Sequence, residues 1–220
     1  RPSAGSVRIG DIDAVTNPHE VRKLVGFLPE TPPVYGDMTV AEYLLFAGEL
    51  RGMSAADAIR RLPEVAAVTH IGDVTDELIR HLSHGYRQRV GVAQAIMHQP
   101  RLLILDEPTR GLDPIQIIEM RNMIRDLKRL HTVLISSHIL PEISETCDRL
   151  LVLGEGTIVG AGTEAELSAD LLASRRVAVS VRLAEDSDAD AVVRCLSGVT
   201  SVTDAVFSGK TDGACDFVIS

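Results

Sequence analysis

Apolar residues in this chain fall into two alternating patterns, short unbroken runs and runs spaced three or four apart. Residues 102–105 (Leu-Leu-Ile-Leu) are four aliphatics without a polar interruption, and they end abruptly in Asp106, Glu107 and Pro108. Such a run suits a strand buried on both faces of a parallel sheet, with its acids at the carboxyl end where an open α/β sheet presents its ligand crevice. On that reading Asp106 holds a cation and Glu107 faces a reacting atom. Residues 25–28 and 132–135 read as buried strands of the same kind, the first ending in Pro29-Glu30 and the second in Ser136, Ser137 and His138. A shorter strand at 7–9 closes in Gly10-Asp11.

Between these runs the period becomes helical. A short helix is expected at 18–24. Val40, Leu44, Ala47 and Leu50 recur at helical spacing behind Thr39, which forms a capping box with Glu42 three residues on. Ser54 caps the first of the helices over 54–79, and Ser83 caps one running through 87–98. Asp113-Pro114 supplies an N-cap and a first-position proline for a helix reaching Leu130, with Ile117, Met120, Ile124 and Leu127 on one face. Farther on, 149–153 and 157–160 read as a hairpin and 163–169 as a short capped helix. After Arg175-Arg176, a β-α-β-β pattern occupies 177–183, 188–196, 199–207 and 214–219. Alternating strands and helices predict an α/β fold with a mostly parallel sheet and a helical subdomain at about 38–98. The expected domains are 1–174 and a partial α+β appendage at 175–220.

Composition narrows the function. The net charge is −9 and only 3% of residues are aromatic, which argues against a nucleic-acid surface, since that needs a basic face or stacking rings. No apolar run approaches the roughly 20 residues that span a bilayer, and no charged-then-apolar leader opens the sequence. Cys147, Cys195 and Cys215 are scattered without metal-ligand spacing and read as reduced thiols of a cytosolic protein. His81 and His84 are close in sequence, but two ligands without a third read as loop residues. Gly209-Lys210-Thr211 carries the last three letters of a phosphate-binding loop, yet the first glycine would fall at Asp204 and no helix-forming run follows; the stretch 208–213 reads as a hairpin turn.

Four segments in order carry a resemblance: Leu82-Ser83-His84-Gly85-Tyr86-Arg87-Gln88-Arg89, then 102–108, then Gly111-Leu112-Asp113-Pro114, then Ser136-Ser137-His138. Together they resemble the signature motif, Walker B strand with its glutamate, D-loop and H-loop of the nucleotide-binding subunit of an ABC transporter. The wording of 26–30 and 83–89 is similar to that of bacterial multidrug and gliding-type exporter ATPases. This resemblance implies the P-loop NTPase fold and a subunit that binds ATP and Mg2+ and hydrolyses ATP. Glu107 and His138 would be catalytic, and Asp106 and Glu30 would position magnesium largely through water, Glu30 standing where the family normally has glutamine. Ser83, His84 and Gly85 would contact the γ-phosphate held by a second ATPase subunit, and Asp113 would carry closure across that dimer. Helix 40–50 would help form a groove for a membrane permease, so the subunit would lie on the cytoplasmic face of the membrane.

The family's loop G-x-x-x-x-G-K-[ST], whose N–H groups cradle phosphate, is expected just before Arg1, and the chain is expected to be cut at both ends. Without the strand leading into that loop, strand edges and apolar helix faces should lie uncovered, favouring association or partial disorder, and the chain alone should be inactive. Two other readings are a soluble, non-transport ATPase of the same type and a non-catalytic binding or regulatory fragment. The sequence has no room for the long coiled coil of chromosome-maintenance relatives.

Overall fold

The computed structural model describes residues 2–173, 177–181, 189–199, 205–211 and 214–219. They form two compact units, Arg1–Cys147 and Asp148–Ser220. This division precedes the 174/175 boundary drawn from the sequence, at which residues 174–176 lie outside the described set.

In the first unit, β1 (Arg8–Ile9) and β2 (Ile12–Asp13) make a small antiparallel pair, followed by α1 (Pro18–Leu24) and β3 (Val25–Leu28). Next come α2 (Val40–Leu50) and α3 (Ala55–Val68), 3-10 turns at Gly72–Val74 and Ile79–His81, and α4 (His84–Ile96). The unit finishes with β4 (Leu102–Asp106), α5 (Pro114–Leu127), β5 (Thr132–Ser136) and α6 (Leu140–Ser144). The predicted caps are present. Thr39 and Glu42 exchange the two bonds of a capping box, Ser54 accepts from Asp57 N–H, and Ser83 accepts from Tyr86 N–H. Each satisfies a backbone donor that the start of a helix leaves without an internal partner.

Strands β3, β4 and β5 form a parallel sheet in that order, with Leu28 opposite Leu105 and Leu105 opposite Ile135. One face is closed. Leu28, Leu103 and Leu105 are fully buried in a core with Val90, Ile96 and Met97 and with Met120, Met123, Ile124 and Leu127 of α5. Burying each such side chain stabilises by roughly 1.5–3 kcal/mol.

The opposite face corrects the expectation of strands buried on both sides. Phe27, Ile104 and Leu134 lie side by side in register across the sheet, and Phe27 and Leu134 are 43% and 49% exposed. An open groove runs beside them, lined by Val25, Phe27 and Ile104 together with Arg22 of α1 and Leu50 of α2. The unbroken apolar run reflects two faces that both favour cover, whereas among the described residues of this unit only one face receives a helical layer.

At the amino-terminal end of the sheet, His98 sets Nε2 3.1 Å from Val25 O. Burial, and next the charge of Arg51, pull its pKa from 6.5 down to about 4. The unfolded chain would protonate this ring near pH 6.5 while the folded chain resists to about pH 4, so between those values the unfolded state holds more protons. Stability should therefore fall as pH drops through that window and stay level above it. Urea midpoints of the wild type and of His98→Gln at pH 7.5 and 5 check this; equal losses in both proteins would remove His98 as the source.

In the second unit, β6 (Leu150–Gly154) and β7 (Thr157–Gly162) form the expected antiparallel hairpin, and α7 (Glu164–Ala173) follows. Thr163 and Glu166 close a second capping box. The expected β-α-β-β order is present as β8 (Val177–Val181), α8 (Ala189–Ser197), β9 (Ala205–Thr211) and β10 (Ala214–Ile219), in the antiparallel order β8-β10-β9, with the second strand at 205–211 and not at the expected 199–207. Phe207 and Phe217 meet edge to face at 5.6 Å. The turn reading of 208–213 needs correction: residues 209–211 are strand, with Gly209, Lys210 and Thr211 paired to Asp216, Cys215 and Ala214. Their backbone groups are engaged in the ladder, and residues 212–213 lie outside the described set.

Candidate functional site

The carboxyl end of β4 and the turn after it organise the site. Asp106 is the last residue of β4 and alternates onto the open face of the sheet, where its Oδ1 accepts a hydrogen bond from Ser136 Oγ on β5. Glu107 then adopts φ +47°, a left-handed conformation uncommon for a residue with a side chain. Main-chain bonds hold it there, since Glu107 N–H donates to Ser136 O at 3.0 Å and Arg110 N–H donates to Glu107 O at 3.0 Å. Local strain of this kind persists where the surroundings over-determine it, and it concentrates at functional sites.

That twist turns the Glu107 carboxylate toward His138. Glu107 Oε1 accepts from His138 N–H at 3.0 Å and lies 2.9 Å from His138 Nδ1. The carboxylate is mostly covered, with 18% of its side chain exposed, while the imidazole is 72% exposed. One ring nitrogen is thus oriented by the acid, leaving the other free to face a ligand. Two residues predicted as catalytic from separate strands are brought into contact.

The other predicted residues occupy two neighbouring regions of the same unit. Asp113 caps α5, its Oδ1 accepting from Ile115 N–H at 3.0 Å and Gln116 N–H at 2.9 Å. Ser83 caps α4, and His84 places Nε2 2.9 Å from Arg110 O. A Cβ on Gly85 would lie 2.8 Å from Gln116 Oε1, the end of a flexible side chain of α5 that would have to move aside. Gly111 takes φ +72°, and a Cβ there would stand 3.1 Å from His84 Nε2. His81 receives a bond from Arg80 Nε and is separate from His84 in its partners.

Glu30 follows β3, where the fully buried Gln88 of α4 donates from Nε2 to Glu30 O at 3.4 Å. The carboxylate of Glu30 forms an ion pair with Arg110. Arg110, Gln88 and Ser136 had no assigned role in the sequence reading. Gln88 and Ser136 sit inside quoted motifs, but nothing in sequence spacing signals that Arg110 meets a residue 80 positions earlier.

Among the described residues, no group of three or more His, Cys, Asp or Glu is arranged to hold a metal ion. Asp106 and Glu30 carry carboxylate oxygens, the donor chemistry that a magnesium ion takes. The anion side fits less. The start of α4 offers backbone N–H groups and the positive end of a helix dipole, but no stretch of this sequence has the form G-x-x-x-x-G-K-[ST].

Residues 1–110 match the family model described as "ABC transporter". The chain belongs to the ABC transporter ATP-binding family, and its fold is that of an ABC ATPase domain. Two curated relatives are similar to it over most of its length. It is 38% identical over 161 residues to a bacitracin transport ATP-binding protein of Bacillus licheniformis, covering 72% of this chain and 52% of that protein. It is 34% identical over 176 residues to a daunorubicin/doxorubicin resistance ATP-binding protein of Streptomyces peucetius, covering 78% and 52%. A solved ATP-binding subunit of an ABC transporter superposes with a TM-score of 0.68 at 29% identity, covering 77% of this chain and 71% of that one. The chain spans about half the length of those curated relatives. Among the described residues, no helix is long and apolar enough to cross a membrane.

Proposed function

We propose that the complete protein is the ATP-binding and ATP-hydrolysing subunit of an ABC transporter, coupling dimer closure on MgATP to export through a membrane permease. The observation that carries this reading is the Glu107–His138 pair held beside Asp106 at the end of β4. A carboxylate fixed by two bonds can orient and polarise a water molecule, and an imidazole anchored at one nitrogen can donate from the other to a terminal phosphate. Asp106 and Glu30 would face the magnesium ion through water. That ion, when bound, would offset phosphate charge in the transition state.

Ser83, His84 and Gly85 would serve the nucleotide of a second ATPase subunit, with Asp113 near the dimer seam. The protein would act as a homodimer on the cytoplasmic face of the membrane, seated under its permease, a reading that the family membership supports. The two relatives whose printed names concern bacitracin transport and daunorubicin/doxorubicin resistance support export as the direction. No nucleic-acid partner is proposed.

The test uses a chain that carries a phosphate-binding loop ahead of Arg1. Its Ser83→Trp variant should bind MgATP as the wild type does, because Ser83 serves the other subunit's nucleotide, but should fail to dimerise on adding ATP in light scattering. Loss of monomer binding with dimerisation intact would overturn the assignment of the 83–85 surface. A wild-type chain that neither binds nor hydrolyses MgATP would overturn the function itself.

A further inference from the structure

Arg110 meets the candidate site from two sides, yet none of the motif roles above belongs to it. Its guanidinium pairs with the Glu30 carboxylate. Its carbonyl lies 2.9 Å from His84 Nε2, and its N–H is bonded to Glu107 O. One residue therefore ties together the acid after β3, the turn after β4 and the start of α4. The geometry leaves little slack, because Gln88 fixes the Glu30 main chain and φ +72° at Gly111 lets the chain pass close beneath His84.

Charge gives this link a purpose. Glu30, Asp106 and Glu107 are three acids following β3 or ending β4, in a site proposed to receive a polyphosphate. Unpaired, they would repel it and attract stray cations. Arg110 cancels one of the three charges, and a carboxylate engaged by guanidinium has fewer lone pairs to offer metal-bound water.

Resting on the nucleotide-site reading above, we propose that Arg110 is a positioning residue that masks Glu30 and yields it to the magnesium shell when MgATP enters. Arg110 acts through Glu30. Because its main chain is also held by His84, release of the side chain is linked to the surface that would face the second subunit.

The experiment measures phosphate release against free Mg2+ at saturating ATP, in the loop-bearing chain, for wild type, Arg110→Gln, Arg110→Lys, Glu30→Gln and the Arg110→Gln/Glu30→Gln double variant. Arg110→Gln should lower the half-activating Mg2+ concentration by about fivefold, the scale of removing one neighbouring charge at a partly exposed site. Arg110→Lys should restore the wild-type midpoint, since it keeps the charge. In the Glu30→Gln background, Arg110→Gln should produce no further shift. An unchanged midpoint in Arg110→Gln, or an equal shift with and without Glu30, overturns the inference while leaving the ATPase reading in place. An inert wild type overturns both.

Discussion

Glu107→Gln, introduced into a chain that carries the phosphate-binding loop ahead of Arg1, is expected to retain MgATP and to lose turnover by about 10²–10⁴-fold, the usual worth of a positioned acid–base group. The substitution is nearly isosteric. A glutamine Oε1 can still accept the His138 N–H bond, and the left-handed turn is held by main-chain bonds to Ser136 and Arg110 that the side chain does not enter. The fold and the nucleotide pocket should therefore persist. What disappears is the negative charge that would polarise an attacking water and that draws in the His138 ring at Nδ1. Phosphate release and retention of labelled ATP on the purified variant check this together. Hydrolysis at near wild-type rate would take Glu107 out of the catalytic role, and loss of binding would show that its charge holds the nucleotide instead.

The second large effect is expected of the 220 residues as they stand. They should neither bind MgATP at micromolar concentrations nor hydrolyse it. Tight phosphate binding draws on several N–H donors and a lysine held in a glycine-rich turn, and the one partial match, at 209–211, is consumed by the β9–β10 ladder. Without that cradle, the acids Asp106 and Glu107 oppose a polyphosphate. The open face of the parallel sheet adds a physical consequence. Phe27, Ile104 and Leu134 form a contiguous apolar row, and β5 has an unpaired edge among the described residues, which together favour self-association. Calorimetric titration with MgATP, phosphate release and concentration-dependent light scattering test the two expectations. Micromolar binding with steady turnover would reveal a phosphate site outside the loop pattern, and a monodisperse monomer at high concentration would show the exposed row to be harmless.

Much of the scaffold was legible because its signals are local. Thr39 with Glu42, Ser54, Ser83 and Asp113-Pro114 each mark a helix start by satisfying backbone donors within three residues, and each helix begins where its cap stands. The runs at 25–28 and 102–105 lie in strands because a short run without polar residues, followed by proline or acid, leaves few other options. Motif order singles out Glu107 and His138, which follow different strands, and the fold brings these two side chains into contact.

The sequence by itself determined element type, the capped starts of the helices and the identity of the acids, since those depend on neighbours within a turn or on a fixed motif spacing. Only the tertiary structure decided which faces are covered and which groups meet. An apolar run states that both sides of a strand favour cover, not that both receive it, so the exposure of Phe27 and Leu134 could not be read from their letters. Likewise Arg110 and Glu30, and His138 and Glu107, meet because parallel strands β3, β4 and β5 bring their carboxyl ends to one edge of the sheet. That juxtaposition of residues far apart in the chain belongs to the sheet's order and register, to which a linear pattern is blind.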